Sequence, residues 1–362
     1  MRIAALSTHL PSVSRVKCGG VAYAAHRLAN AFCQRGHAVT VFTTDESPAD
    51  ASYEVRTVLS HRPSGPLRAW LHNWRLSLRF AAQDFSSFDI IHAHGDDALV
   101  WKPGPPLVRT FHGAALAEAI HAPTWKRKLW YLSFVPRELW EAAKADVVVS
   151  DIASTKRHVP GIGHVIPNSV DGRLFYADNT PKSANPSILF VGTMDGRKRG
   201  RKLLEIFQAR IRPALPAAEL WLVADESVTA PGVLSLHKPD DVSLADLYRK
   251  AWVLCLPSTY EGFGIPYIEA MACGTPVVAT PNDGARALLE DGKWGLLAPL
   301  EELGSALLSL LQDAPARQRT ANLGLQRAGD FAQDKVVDAY ESIFMSLVSA
   351  SARSARARNL EA

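Results

Sequence analysis

Residues 260–280 read YEGFGIPYIEAMACGTPVVAT, and the fold turns on this stretch. Pro266 suits the first position of a helix, where a missing N–H costs nothing. Ile265, Ile268 and Met271 recur at spacings of three, which puts apolar side chains on one helical face. Gly274 can stop that helix in the left-handed conformation, and Pro276 cannot continue it. Val277, Val278 and Ala279 then read as a short buried strand. Glu261 falls just before the helix N-terminus, and Glu269 falls inside the helix.

Chemistry follows from that placement. The first N–H groups of a helix lack internal partners, and the dipole makes that end positive. Gly262 and Gly264 let a ligand approach the backbone, and a phosphate group fits there. A carboxylate repels phosphate, so the two glutamates must hold hydroxylated groups on either side of it. A nucleotide-sugar has that shape, with sugar hydroxyls at one end and ribose hydroxyls at the other. A capped helix with two solvated acids is the plain alternative, and the pairing of both glutamates with the Gly-Phe-Gly turn weighs against it.

The stretch resembles the E-x7-E motif of retaining GT-B glycosyltransferases, glycosyltransferase family 4 above all. The resemblance runs over most of the chain, and this motif is its most specific part. It implies that Glu261 faces the donor sugar, that Glu269 binds the donor ribose, and that the amides of Phe263, Gly264 and Ile265 face the pyrophosphate and sugar.

Composition is compatible. A chain of 362 residues, 47% hydrophobic, suits two domains with sizeable cores. A net charge of +4 gives no argument for nucleic acid. Cys18, Cys33, Cys255 and Cys273 lack CxxC spacing and read as reduced thiols of a cytoplasmic protein. Neither a signal-peptide pattern nor a membrane-spanning run is expected.

Strands alternate with helices along the chain, which favours parallel α/β sheets. Strands are expected at 2–7, 37–43, 88–93, 107–111, 145–150 and 165–166, with a helix at 21–35 capped by Gly36. A polar stretch at 171–187 reads as a linker. The pattern restarts with strands at 188–191, 219–224, 233–236, 252–256 and 276–279. The expectation is two Rossmann-like domains, 1–170 on the acceptor side and 171–333 on the donor side, facing each other across a cleft at the C-terminal ends of both sheets. The resemblance implies the same GT-B arrangement, with helix 334–347 crossing back to the first domain. Residues 349–362, small, polar and basic, are expected to be disordered.

The Gly19-Gly20 loop follows the first strand, where doubly wound folds place ligands. It resembles the family's GG-V loop, which touches donor phosphates, although a tight turn alone also explains two glycines. Arg15 and Lys17 add positive charge there. There is no GxGxxG and no GxxxxGK[ST] at this loop, so dinucleotide and P-loop readings lack support. His92 and His94 end one strand and His112 another. Alternate histidines on a strand can ligate metal, but Asp96 and Asp97 do not form a DxD; packing or cleft lining competes for His92 and His94. His112 resembles the family histidine that contacts the donor sugar near the reacting carbon, with a packed strand-end histidine as the alternative.

Residues 192–200, GTMDGRKRG, follow a strand of the second domain. Fixed cations there stabilise a leaving diphosphate, and arginine can grip phosphate bidentately. The family carries an arginine soon after the strand glycine and a lysine before the later one; here Thr193 and Arg199 take those places, with one extra residue between. Arg197, Lys198 and Arg199 are therefore all diphosphate candidates, with a solvated basic turn as the alternative. Residues 167–171, PNSVD, resemble the family's P-N-G-V-D at the domain junction, with Ser169 for the glycine.

The resulting expectation is a glycosyltransferase that moves a sugar from a nucleoside-diphosphate sugar to an acceptor hydroxyl or amine. The resemblance implies retention at the anomeric carbon, no metal and no cofactor. Glycan, lipid-linked or small-molecule acceptors all remain open, and no nucleic-acid partner is expected. An epimerase or phosphorylase on the same fold is the second reading, though no Schiff-base lysine for a pyridoxal phosphorylase can be identified. A noncatalytic nucleotide-sugar-binding partner is the third. Residues 123–134, PTWKRKLWYLSF, place Trp125, Leu129 and Leu132 on one helical stripe flanked by Lys126, Arg127 and Lys128. Arg68, Trp70, Trp74, Arg75 and Arg79 repeat the chemistry. Such stripes can lie on an anionic bilayer, but packing on the first domain's sheet is favoured, so at most weak peripheral membrane contact is expected.

Overall fold

The structure, a computed structural model, describes residues 1–11, 19–59, 66–101, 104–122, 124–237 and 239–361, with backbone only at 66–69 and 354–361. Arg15, Lys17, Cys18 and Pro123 lie outside the described residues, as does the side chain of Arg68.

The chain opens with β1 (Arg2–Leu6), α1 (Gly20–Gln34), β2 (Ala38–Thr43), β3 (Glu54–Thr57), α2 (Pro66–Ala81), β4 (Ile90–Ala93) and β5 (Leu107–Phe111). Then come α3 (Ala115–Ile120), α4 (Trp125–Leu132), α5 (Val135–Lys144), β6 (Val147–Ser150) and β7 (Ile162–Val165). A second series runs β8 (Ser187–Gly192), α6 (Gly200–Ile206), α7 (Arg212–Ala214), β9 (Glu219–Ala224), β10 (Val233–Leu236), α8 (Asp241–Lys250) and β11 (Val253–Leu256). It continues with α9 (Ile265–Ala272), β12 (Val277–Ala279), α10 (Asp283–Leu289), β13 (Leu296–Leu297), α11 (Leu303–Gln312) and α12 (Ala314–Ala328), and α13 (Gln333–Glu361) ends the chain. These form two compact units, Met1–Ser169 with Gln333–Ala362, and Val170–Ala332.

The first unit is built on a seven-stranded parallel sheet, β3-β2-β1-β4-β5-β6-β7. Its inner strands β1, β2, β4 and β5 are mostly buried and rich in Val, Ile, Ala and Phe, the signature of a sheet covered on both faces. On one face α1 and α13 pack together: Phe32 meets Tyr340 and Phe344 at ring distances of 6.3 and 5.4 Å, among buried Ile3, Val41, Ile90 and Val108. On the other, Leu76 and Phe80 of α2 join Phe42, Phe85 and Ile91. Beside these cores Arg109, its side chain 6% exposed, pairs with Asp97 at 3.1 Å and Glu141 at 3.0 Å, while Lys144 reaches Asp97 at 2.8 Å. Burial and the neighbouring Asp97 push the Glu141 carboxyl up to about 7.

The second unit has a six-stranded parallel sheet, β10-β9-β8-β11-β12-β13. Its short edge strand β13 and the first unit's β3 are not foreseen by the sequence reading; with two and four residues they are too short for a periodic signal. The strand expected at 165–166 lies at Ile162–Val165.

Two expectations are corrected. The Trp125, Leu129, Leu132 stripe does not pack on the sheet: α4 buries none of its residues, and the three are 68%, 57% and 36% exposed. The reason is a layer: α4 packs against α3, and α3 is the helix that turns Ala115, Ala117 and Ala119 inward. Residues 349–361 are helical, because α13 continues to Glu361. Low hydrophobicity suggests disorder there, but the segment is rich in Ala and Arg, which favour helix strongly.

Candidate active site

In the second unit β8 and β11 are neighbours, and the chain leaves them in opposite directions, toward β9 and β12. Doubly wound sheets open a crevice at such a reversal, outside the carboxyl ends of the strands. The loops that follow β8 and β11 run side by side there. The Thr259 N–H donates to the Arg197 carbonyl at 2.8 Å. Lys198 Nζ lies 2.6 Å from Glu261 Oε1, and the Glu261 side chain is 5% exposed. Burying a carboxylate is costly unless a cation compensates it, and Lys198 does so.

Glu261 enters a turn that only certain residues can make. Gly264 has φ +99°, and a Cβ there would lie 2.4 Å from the Tyr267 ring. Gly264 caps α9, and Pro266 occupies its first turn. Phe263 is buried edge-on against Phe331, with centroids 5.9 Å apart, and Ile265 is half-buried. Behind the turn, Gly284 lets α10 approach closely: a Cβ there would come within 2.7 Å of the Phe263 carbonyl and 2.8 Å of Glu261 Cβ. Glu269 faces inward from α9 and accepts a hydrogen bond from the Tyr248 hydroxyl at 3.1 Å.

The basic loop divides its cations. Lys198 pairs with Glu261. The Arg197 guanidinium sits 5.7 Å from the Tyr260 ring centroid. Arg199 has φ +54° at the start of α6, a left-handed conformation that costs a non-glycine residue about 1–2 kcal/mol.

Tyr248, Gly284 and Asn282 lie at this site and are not among the sequence candidates. Asn282 caps α10 through the Ala285 N–H at 3.0 Å and donates to the Ser258 carbonyl at 3.2 Å, which holds the approach to Glu261. Its position before Asp283-Gly284-Ala285 is a readable N-cap signal. Tyr248 and Gly284 carry no signal of their own.

In the first unit Gly19 and Gly20 are exposed, with Gly19 as the N-cap of α1. Among the described residues that end of α1 has no side-chain cap and no acid in its first turn, which favours an electropositive end. His94, His112 and Asp151 follow three adjacent strands, β4, β5 and β6. Asp151 Oδ2 lies 3.4 Å from His112 Nδ1 and also accepts from Asn168 Nδ2 at 2.9 Å. His112 Nε2 and His94 Nδ1 lie 2.9 Å apart, so one of the two rings donates to the other. His92 is tied to Thr110 at 2.9 Å, and Thr110 in turn meets the Tyr340 hydroxyl at 3.0 Å. Burial, with help from neighbouring His112 and Arg109, pushes His92 down to about 3, and burial also holds His94 well below its ordinary value. His92 and His94 are thus neutral packing partners. Among the described residues no three His, Cys, Asp or Glu side chains converge as a metal set.

Comparison with known proteins accords with this geometry. Residues 18–173 match the family described as Glycosyltransferase Family 4, and residues 185–313 match Glycosyl transferases group 1. The phosphatidyl-myo-inositol mannosyltransferase of Mycobacterium tuberculosis is 30% identical over 268 residues, covering 66% of this chain and 68% of that protein. The glycogen synthase of the same organism is 27% identical, covering 95% of this chain and 94% of that protein. Among solved structures, sucrose-phosphate synthase from Thermosynechococcus elongatus superposes with a TM-score of 0.78 at 22% identity, covering 96% of this chain and 99% of that one, which speaks to the fold.

Proposed function

The chain belongs to glycosyltransferase family 4 of the glycosyl transferases group 1 and has the GT-B fold, and from that membership we propose a retaining, nucleotide-sugar-dependent transferase of hexosyltransferase type. It moves a sugar from a nucleoside diphosphate to an acceptor hydroxyl or amine, without a metal ion and in the cytoplasm. Cys33, Cys255 and Cys273 are free thiols, in keeping with a reducing compartment.

The observation that carries the reading is the pairing of half-buried Lys198 with buried Glu261 beside the N-terminus of α9. A carboxylate next to a diphosphate is unfavourable unless a cation stands between them, and Lys198 is that cation. Lys198, Arg197, Arg199 and the amides of Phe263, Gly264 and Ile265 then receive the diphosphate, whose charge grows as the sugar bond breaks. Glu261 faces the transferred sugar. Glu269, oriented by Tyr248, accepts from the paired ribose hydroxyls. Gly19 and Gly20 add the electropositive start of α1 for the diphosphate. His112, fixed by Asp151 and His94, serves as a polar contact to the sugar near the reacting carbon. The carboxylates bind and support charge, and the leaving phosphate takes the acceptor proton.

A thermal-shift panel of UDP-, GDP-, ADP- and dTDP-sugars tests the donor, because a ligand of the folded state raises its apparent stability. At least one should raise Tm in the wild type and lose that effect in Glu269→Ala. Turnover should persist in EDTA, and fresh product should keep the donor's anomeric configuration by NMR coupling constant. Dependence on added magnesium or manganese, or an inverted centre, counts against the mechanism.

A further inference from the structure

α4 is an eight-residue helix that packs on α3 yet fully buries none of its residues, a length at which a helix is marginal without packing. Thr124 caps it through the Arg127 N–H at 3.3 Å. Trp125, Leu129 and Leu132, at spacings of four and three, form one exposed apolar stripe, and Ile120 at the end of neighbouring α3 is 55% exposed as well. Lys126, Arg127 and Lys128 are exposed beside the stripe. Between Glu118 and Glu138 the sequence contains no acidic residue. Glu138 itself is turned to the Ala115 N–H at 2.8 Å, and Glu118 is half-buried. The outward face therefore joins tryptophan and leucine to uncompensated positive charge.

A second helix of the same unit repeats this composition. α2 buries Leu76 and Phe80 and exposes Leu71, Arg75, Leu78 and Arg79, and the segment 66–81 has no acid. No helix among the described residues is long and apolar enough to cross a membrane.

We propose that α4 is a docking surface for an anionic lipid bilayer. Trp125 sits at the boundary between headgroups and acyl chains, where its amphipathic ring is at home. Leu129 and Leu132 enter the apolar layer. Lys126, Arg127 and Lys128 meet lipid phosphates, each cation contributing about a fivefold gain in partition. A second copy of the chain suits this face poorly, because two such surfaces would bring like charges together. Vesicle binding at α4 is read without donor and without turnover.

The test is sedimentation of the full chain with vesicles of phosphatidylcholine alone or with about one-third phosphatidylglycerol. The wild type should pellet with anionic vesicles at low salt and be released as salt screens the contact. The triple variant Lys126→Gln, Arg127→Gln, Lys128→Gln should bind about a hundredfold more weakly, and Trp125→Ser should also weaken binding. These side chains are exposed, so circular dichroism should show all variants folded. Failure of the wild type to pellet with anionic vesicles overturns the proposal. So does equal binding by the triple variant, or a salt-independent wild-type dimer by analytical ultracentrifugation that Trp125→Ser dissociates.

Discussion

Lys198 Nζ stands 2.6 Å from Glu261 Oε1, and the contact joins the loop after β8 to the loop after β11. The two side chains act as one unit, so their effects on turnover should not add. Glu261→Ala and Lys198→Ala should each lower kcat/KM by about 1.5–3 kcal/mol, the range for a charged hydrogen bond. The double variant should lose less than the sum, because a single removal leaves the other charge uncompensated. Wild-type kinetics in both single variants would remove the site assignment.

Glu269 and Tyr248 divide differently. Glu269→Ala should weaken donor binding by about 1.5–3 kcal/mol, while Tyr248→Phe, which deletes one neutral donor to the carboxylate, should cost about 0.5–1.5 kcal/mol. Calorimetric titration with the donor identified by thermal shift gives both numbers. An effect of Tyr248→Phe larger than that of Glu269→Ala would mean that the tyrosine, and not the carboxylate, is the ligand.

Gly264→Ala meets two obstacles at once, a φ of +99° and a Cβ 2.4 Å from Tyr267. Backbone strain of this kind costs on the order of 1–3 kcal/mol before the clash is counted. Tm should fall by several degrees and donor binding should fail with it. An unchanged Tm would show that the turn can relax.

Acid should destabilise the first unit through its histidines. An unfolded imidazole takes up its proton near 6.5, whereas folded His92 resists protonation down to about 3. Between those values the unfolded state binds more protons, so stability declines as pH falls through the window and is fully present above it. Glu141 acts in the opposite sense: its folded carboxyl stays protonated up to about 7 against an ordinary 4.5, so its contribution declines as pH rises through that interval. Urea midpoints from pH 7.5 to 4 should fall toward acid in the wild type and fall less in His92→Gln. Equal slopes in the two proteins would assign the acid loss elsewhere.

Local features were readable from sequence and spatial partnerships were not. Gly264, Pro266 and Gly274 bracket α9 through their own backbone preferences, so its bounds and the placement of Glu261 and Glu269 follow from short-range rules. The choice of Lys198 among three adjacent cations depends on β8 and β11 being sheet neighbours, and strand order is not written in either loop. Tyr248 lies on α8, and nothing in that helix announces a carboxylate partner on the next one. Periodicity correctly aligned Trp125, Leu129 and Leu132 on one face of α4 but could not say what that face meets, because period reports a stripe and not its neighbour.

The return of α13 to the first unit sets an order of assembly during synthesis. Tyr340 and Phe344 complete the core around Phe32, yet they are translated after the whole second unit, Val170–Ala332. The second unit has its ends tied early, since Val170 pairs with Ala332 and donates to the Phe331 carbonyl at 3.0 Å. A ribosome would therefore release a finished later domain while the earlier one still waits for its closing helix, the reverse of the usual N-to-C sequence. A chain stopped at Ala332 should resist protease across 170–332 and be cut readily within 1–169; equal protection of both would mean that the first unit closes without its last helix.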